Sequence, residues 1–338
     1  MIRVLLAALV LVVFAASSLQ AGGLDHLKAA KTAAEAGNPD EAIHLFTQAL
    51  AASDLSPADQ LVARKGRGSI YTAKSMIADA FQKRDDARRL RDNAIDDFTA
   101  ALRSKTDDDE FYLARAQALH LNGQYDKAVA DLDAALKLKD SLSTLMQRAA
   151  SNRAKGDYDR AVADFTAATA KDPNTADLDG WEPYNERGYT QFLAARYAEA
   201  AADFDKALSL GSSTHTGDVL WLPYQAVWLH IARARAGQND AEELARNAGK
   251  IDLKQWPGTL VAFFLGQVKA DQLSPPSSHG SSMGRARECN LSFFTGEHAL
   301  IKGDKAEAAR LFVRVREVCS IHTVHFLAAG VELKRLGK

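Results

Sequence analysis

Along this chain of 338 residues an alanine is repeatedly followed four positions on by a large apolar side chain, and three further by another small one. The copies are Ala42/Phe46/Ala49, Ala94/Phe98/Ala101, Ala128/Leu132/Ala135, Ala161/Phe165/Ala168 and Ala200/Phe204/Ala207, with a looser one at Ala308/Phe312/Val315. Offsets of 0, 4 and 7 fall on one helical face. The steps from 94 to 128 and from 128 to 161 are 34 and 33 residues. Five residues before the first alanine stands Gly37, Gly123, Gly156 or Gly303, with Ala195 in that place in the fifth copy. Glycine there allows the positive φ that ends one helix and lets the chain reverse. Asn38-Pro39 then reads as an N-cap followed by proline at the first helical position. One such hairpin cannot bury its apolar stripe, so the units must stack, and small alanines let their helices approach.

A helix–turn–helix unit of about 34 residues resembles the tetratricopeptide repeat (TPR). Asn185-Glu186-Arg187-Gly188-Tyr189 resembles the repeat's first-helix signature, with Gly188 at the closest helix approach, and Pro173 stands near its usual proline. The expected fold is all-α: a TPR-like α-solenoid of stacked antiparallel hairpins over 22–211, then a C-terminal helical region over 212–338. Within that region the last repeat is expected at 289–322 and a capping helix at 324–336. The second unit is stretched. Gly68 and Tyr71 look like its first-helix glycine and tyrosine, and Ala94 follows about 14 residues later than a regular repeat places it. That is close to four turns of about 3.6 residues, so both helices can lengthen in register. The added segment is charged (Lys83-Arg84-Asp85-Asp86, Arg88-Arg89) and reads as a solvated helix pair, with a docking prong as the other reading.

The N-terminus reads as a signal peptide, 1–21: Arg3, thirteen apolar residues from Val4 to Ala16, then small residues, with cleavage after Ser18 or after Ala21. The run is too short to span a bilayer, and no cysteine follows it to carry a lipid. The mature chain is therefore expected in the periplasm or outside the cell, without stable membrane insertion. A net charge of −1 offers no basic footprint for nucleic acid.

Cys289 and Cys319 are the only cysteines. They flank a hairpin turning at Gly303, which brings its two open ends side by side, and in an exported protein this suits a disulfide. Closing a loop of about 30 residues adds roughly 3 kcal/mol in the loop-entropy account. Cys319, His322 and His325, with His298 or Cys289, have spacing that suits zinc as a competing reading. No metal or other cofactor is expected. Gly280-Ser281-Ser282-Met283-Gly284 matches the serine-hydrolase string, which needs a strand-to-helix elbow and here is expected in a loop, Ser274 to Gly284, of a helical chain. No nucleophile, base and orienting group stand at a suggestive spacing, so the chain is expected not to be an enzyme.

Trp221 to His230, Val261 to Gly266, Phe294 with Gly296, Gly303-Asp304, Leu311-Phe312 and the ending Val324-His325-Phe326 to Leu336 resemble the new-lipoprotein-I (NlpI) type of periplasmic TPR protein. That resemblance implies an envelope adaptor that dimerises and scaffolds peptidoglycan hydrolases and a processing protease. The lipid-bearing cysteine of those proteins has no counterpart here. In a TPR stack the first helices line a concave groove, and by register Gln117, His120, Arg153, Asn185, Tyr189 and Phe192 face it. Such a mixture suits an extended peptide or a helix. The groove is expected either to receive a protein partner or to be filled by the protein's own C-terminal helices. A binding protein for a glycan or small ligand is the alternative function.

Overall fold

A computed structural model of the chain describes residues 22–104, 108–171, 180–214, 221–273 and 281–338. The expected signal peptide, Pro173 and Gly280 lie outside the described residues. Within them the secondary structure is helical and no strand occurs. Five hairpins come first: α1 (Gly23–Glu35) with α2 (Pro39–Ala51), α3 (Pro57–Ala80) with α4 (Arg84–Leu102), α5 (Asp109–Leu121) with α6 (Tyr125–Leu138), α7 (Leu142–Lys155) with α8 (Tyr158–Thr169), and α9 (Glu182–Leu193) with α10 (Tyr197–Thr214). Then come α11 (Trp221–Arg235), α12 (Ala241–Ala248), α13 (Gly258–Phe264), the hairpin α14 (Ser282–Ile301) with α15 (Lys305–Val318), and α16 (Val324–Arg335). The fold is of the TPR-like α-solenoid class. The chain divides into two compact units, up to residue 70 and from 71 onward, with the boundary inside α3.

In the first unit Leu27, Ala30, Phe46, Ala49 and Ala63 form the core. A Cβ on Gly66 would sit 2.5 Å from the Phe46 ring, so only glycine fits there. In the second unit every alanine–aromatic–alanine triplet is buried. Gly188 lets α9 close on Phe204 of α10, where a Cβ would lie 2.8 Å from the ring.

An ion-pair ladder fixes the hairpins in the second unit. Arg115, Arg148 and Arg187 each grip, with Nε and Nη2, the aspartate sixteen residues later: Asp131, Asp164 and Asp203, at 2.7–2.9 Å. Each aspartate precedes the central apolar residue of its triplet. The third guanidinium nitrogen reaches back to the preceding hairpin: Thr99 at 3.2 Å, Asp133 at 2.6 Å and Thr166 at 3.1 Å. One arginine thus ties three helices through a planar fork that lysine does not offer.

The turns behave as their sequence requires. Gly37, Gly123, Gly156 and Gly303 have positive φ, and so does Ala195, at 60°. A left-handed alanine costs about 1–2 kcal/mol, of which glycine's extra unfolded-state freedom offsets part. Ala195→Gly is expected to stabilise the protein by about 0.5–1 kcal/mol. Calorimetry showing a lower melting temperature would contradict this reading of the turn.

The second hairpin is long on both sides, with helices of 24 and 19 residues. Its turn is at Gln82, φ 58°, five residues before Ala87. Ala87/Arg91/Ala94 repeats the triplet one heptad early, with buried Arg91 in the aromatic's place and paired to Asp79. The tip is not simply solvated. His322 Nε2 lies 3.1 Å from Asp79 Oδ2, and Arg285 donates to the Ala80 carbonyl at 2.6 Å. The stretched hairpin therefore rests on the chain's own last repeat.

Candidate functional site

The concave register is set by the first helix of each hairpin. Leu113, Gln117 and His120 on α5 correspond to Met146, Ala150 and Arg153 on α7 and to Asn185, Tyr189 and Phe192 on α9. Exposure falls along the series. Gln117 is exposed, Met146 and Ala150 are half-buried, and Phe192 is 1% exposed.

The cause is the chain's own C-terminal part. Trp228 of α11 packs edge-on against Tyr189 and Phe192, with ring centroids 4.9 and 5.3 Å away. Arg335 of α16 donates to the Leu193 carbonyl at 2.7 Å. Burial, then the nearby Glu186, raises the Tyr189 hydroxyl to about 12, so it stays protonated. Phe192, expected to meet a partner, belongs to the core instead, and half-buried Tyr189 packs against it: Trp228 on α11 covers both. Of the two expectations for the groove, filling by C-terminal helices holds at the α9 end.

At the other end Gln117 is exposed, and the C-terminal part meets His120 through His322. His120 sits beside Ser151 Oγ at 3.0 Å and faces Tyr125 and His322. Burial, then the neighbouring His322 and Arg153, lowers its pKa to about 4 and keeps it neutral. Arg153 bridges to Glu186 at 2.6 Å and lies over the Phe165 ring. Between α7 and α9 lies a hollow of about 300 Å³, walled by Met146, Ala150, Phe165, Trp181, Asn185 and Glu186. The Asn185 side-chain oxygen is buried there without a hydrogen-bond partner. A buried amide oxygen left in that state costs about 1–3 kcal/mol, and an N–H donor in the hollow recovers it.

Tetratricopeptide-repeat family models match residues 27–84, 75–142 and 147–213, together more than half of the chain. The chain belongs to the tetratricopeptide-repeat family. The structure of a TPR protein from Parabacteroides merdae is similar at TM-score 0.54 and 14% identity, covering 90% of this chain and 98% of that one. The apo form of RapI is similar at 0.51 and 13%, covering 88% and 97%. The apo quorum sensor NprR from B. thuringiensis matches at 0.51 and 13%, covering 93% and 85%. At these identities the likeness concerns the fold.

In this TPR protein Cys289 and Cys319 are joined as a disulfide, Cα–Cα 5.0 Å, across the open end of the last hairpin. Both sulfurs are therefore unavailable to the competing zinc reading. His322 turns to Asp79, and His325 packs among Trp228, Phe293 and Phe294. Residues 281–284 of the hydrolase-like string, expected in a loop, instead open α14, where Ser281 Oγ accepts from the Gly284 amide at 3.0 Å and caps the helix. Leu113, Met146 and Ala150 lie half-buried on the same register and were not singled out from sequence, where Glu186 stood only within the first-helix signature. Shifting Leu113 and Gln117 by the 33-residue step points to Met146 and Ala150.

Proposed function

We propose that the chain is a non-enzymatic periplasmic or secreted scaffold whose open concave surface, from Gln117 on α5 to Asn185 on α9, receives an extended segment of a partner protein. The single observation that carries this is the partnerless Asn185 oxygen in a hollow on the repeat's inner face. An extended peptide brings a backbone N–H to such an oxygen and apolar side chains to Met146 and Phe165. The resemblance of the C-terminal third to NlpI-type adaptors supports peptidoglycan hydrolases or a periplasmic protease as the partner class, and a homodimer as its assembly.

The test is a pull-down from a periplasmic extract with the mature chain and with Gln117→Arg/Met146→Glu. Gln117 is exposed and Met146 half-buried at the edge of the Phe165 cluster, so thermal melting checks that the variant folds. Cell-wall hydrolases or a protease retained by the native chain, and reduced at least about tenfold by the variant, is the expected result. If nothing is retained but purified glycan strands bind, the second reading gains: Trp181 and Phe165 beside the Asn185 amide also suit a small polar ligand.

A further inference from the structure

Nine large apolar side chains stand exposed among the described residues, and five of them lie on elements that meet one another. Met76 (51%), Ile77 (59%) and Phe81 (59%) lie at the tip of the long hairpin. Met283 (77%) stands on the first turn of α14, and Ile321 follows the disulfide. The Arg285–Ala80 bond and the His322–Asp79 pair hold these elements together. Apolar groups left exposed on elements that meet point to an interaction site.

A hollow of about 350 Å³ opens between them. Val318, Ile321, Ala286 and the Cys289–Cys319 bridge supply apolar wall, and Arg84 and Arg285 supply cations. Asp79, the carboxylate among its lining residues, is already taken by Arg91 and His322. Lys83, Arg88 and one carboxylate, Asp85, are also exposed near the turn, and Asp86 is paired with Arg89, so the exposed charge there stays positive.

We propose that this junction is a second docking site, for an acidic segment of a partner protein that inserts one apolar side chain into the hollow. It goes beyond the concave-face reading and involves none of its residues. The cationic rim selects for acidic chemistry. The hollow selects for a side chain of fixed shape, which a bilayer surface does not present. A second copy docking isologously would set one basic rim against the other.

The experiment is selection of a phage-displayed random dodecapeptide library on the mature, oxidised chain, followed by titration of labelled selected peptides. The expected result is enrichment of sequences pairing Leu, Phe or Met with Asp or Glu. Their affinity should fall at least tenfold on Arg84→Glu and on Phe81→Ser, and be unchanged by Gln117→Arg/Met146→Glu. That last arm separates this site from the concave surface. Both test positions are exposed, and thermal melting checks their folding, with Met283→Ser replacing any variant that melts early. No enrichment, enrichment of basic sequences, or binding indifferent to Arg84 and Phe81 would overturn the proposal. So would co-sedimentation with phosphatidylcholine/phosphatidylglycerol vesicles that is abolished by Phe81→Ser, which would assign the patch to a lipid surface.

Discussion

Arg235→Ala is expected to destabilise the protein by about 3–5 kcal/mol, the cost of leaving a buried charge without its partner. Arg235 ends α11 and donates to Glu297 of α14 at 2.7 Å and to Glu332 of α16 at 3.1 Å. Both carboxylates are almost completely buried, and one Glu297 oxygen has no partner at all. The guanidinium also lies over the Tyr197 ring, 4.6 Å from its centre, and binds the Tyr197 hydroxyl, which Arg335 shares. One cation thus joins α10, α11, α14 and α16. Burial, only partly offset by Arg235, raises Glu297 to about 8. Between pH 4.5 and 8 the folded state therefore holds a proton that the unfolded chain has released. Stability from this group is full below pH 4.5 and declines as pH rises through 8. The loss on Arg235→Ala should be larger at pH 8 than at pH 5, where protonation neutralises the abandoned Glu297 carboxylate. Glu297→Gln should flatten the native protein's decline over the same window. Denaturant titrations at pH 5, 7 and 8 measure both. An Arg235→Ala penalty that grows toward acid would contradict this account.

Trp228→Ala is expected to cost about 3–5 kcal/mol, the usual range for emptying an aromatic core site. For a unit of this size that corresponds to a fall in melting temperature on the order of 10 °C. Trp228 is buried at the centre of a ring cluster. Its indole meets Phe293 at 5.0 Å, His325 at 5.6 Å, and Phe204 and Phe294 at 5.8 Å, besides Tyr189 and Phe192. It joins the fifth hairpin to the sixth, so a cavity there loosens both. It also seals the α9 end of the inner face, so Tyr189 and Phe192 should gain solvent access, read by faster amide exchange in α9. Trp228→Phe should keep most of the stability because the volume lost is smaller. A melting temperature within a degree or two of the native value for Trp228→Ala would count against this packing.

The repeat itself was legible because its signal is periodic and local. Ala128/Leu132/Ala135 and its copies mark the buried face whatever surrounds them, and turn glycines mark the reversals. Ala195 shows that position outranking residue type, since alanine there still takes the left-handed turn. The arginine–aspartate ladder was written at a constant offset of sixteen, but it emerges only when hairpins are aligned. The first-helix register named Gln117, His120 and Arg153 together with Tyr189 and Phe192, and it drew no distinction between them. What it could not supply was the cover. Trp228 reaches Phe192 across 36 positions of chain, and no period encodes that meeting. The long hairpin shows the same limit. Its two extra turns per helix follow from counting, while the resting of Ala80 on Arg285 spans 205 residues and depends on how the last repeat is placed.

The proposed function puts a partner segment on the inner face near Gln117 and not at its α9 end. Site-specific photo-crosslinking tests it directly, with p-benzoylphenylalanine placed at Gln117 in one protein and at Phe192 in another. Both are exposed to periplasmic extract and read by mass spectrometry. The account predicts a defined protein adduct from position 117 and none above background from position 192. Adducts from 192 equal to those from 117, or from 192 alone, would contradict it.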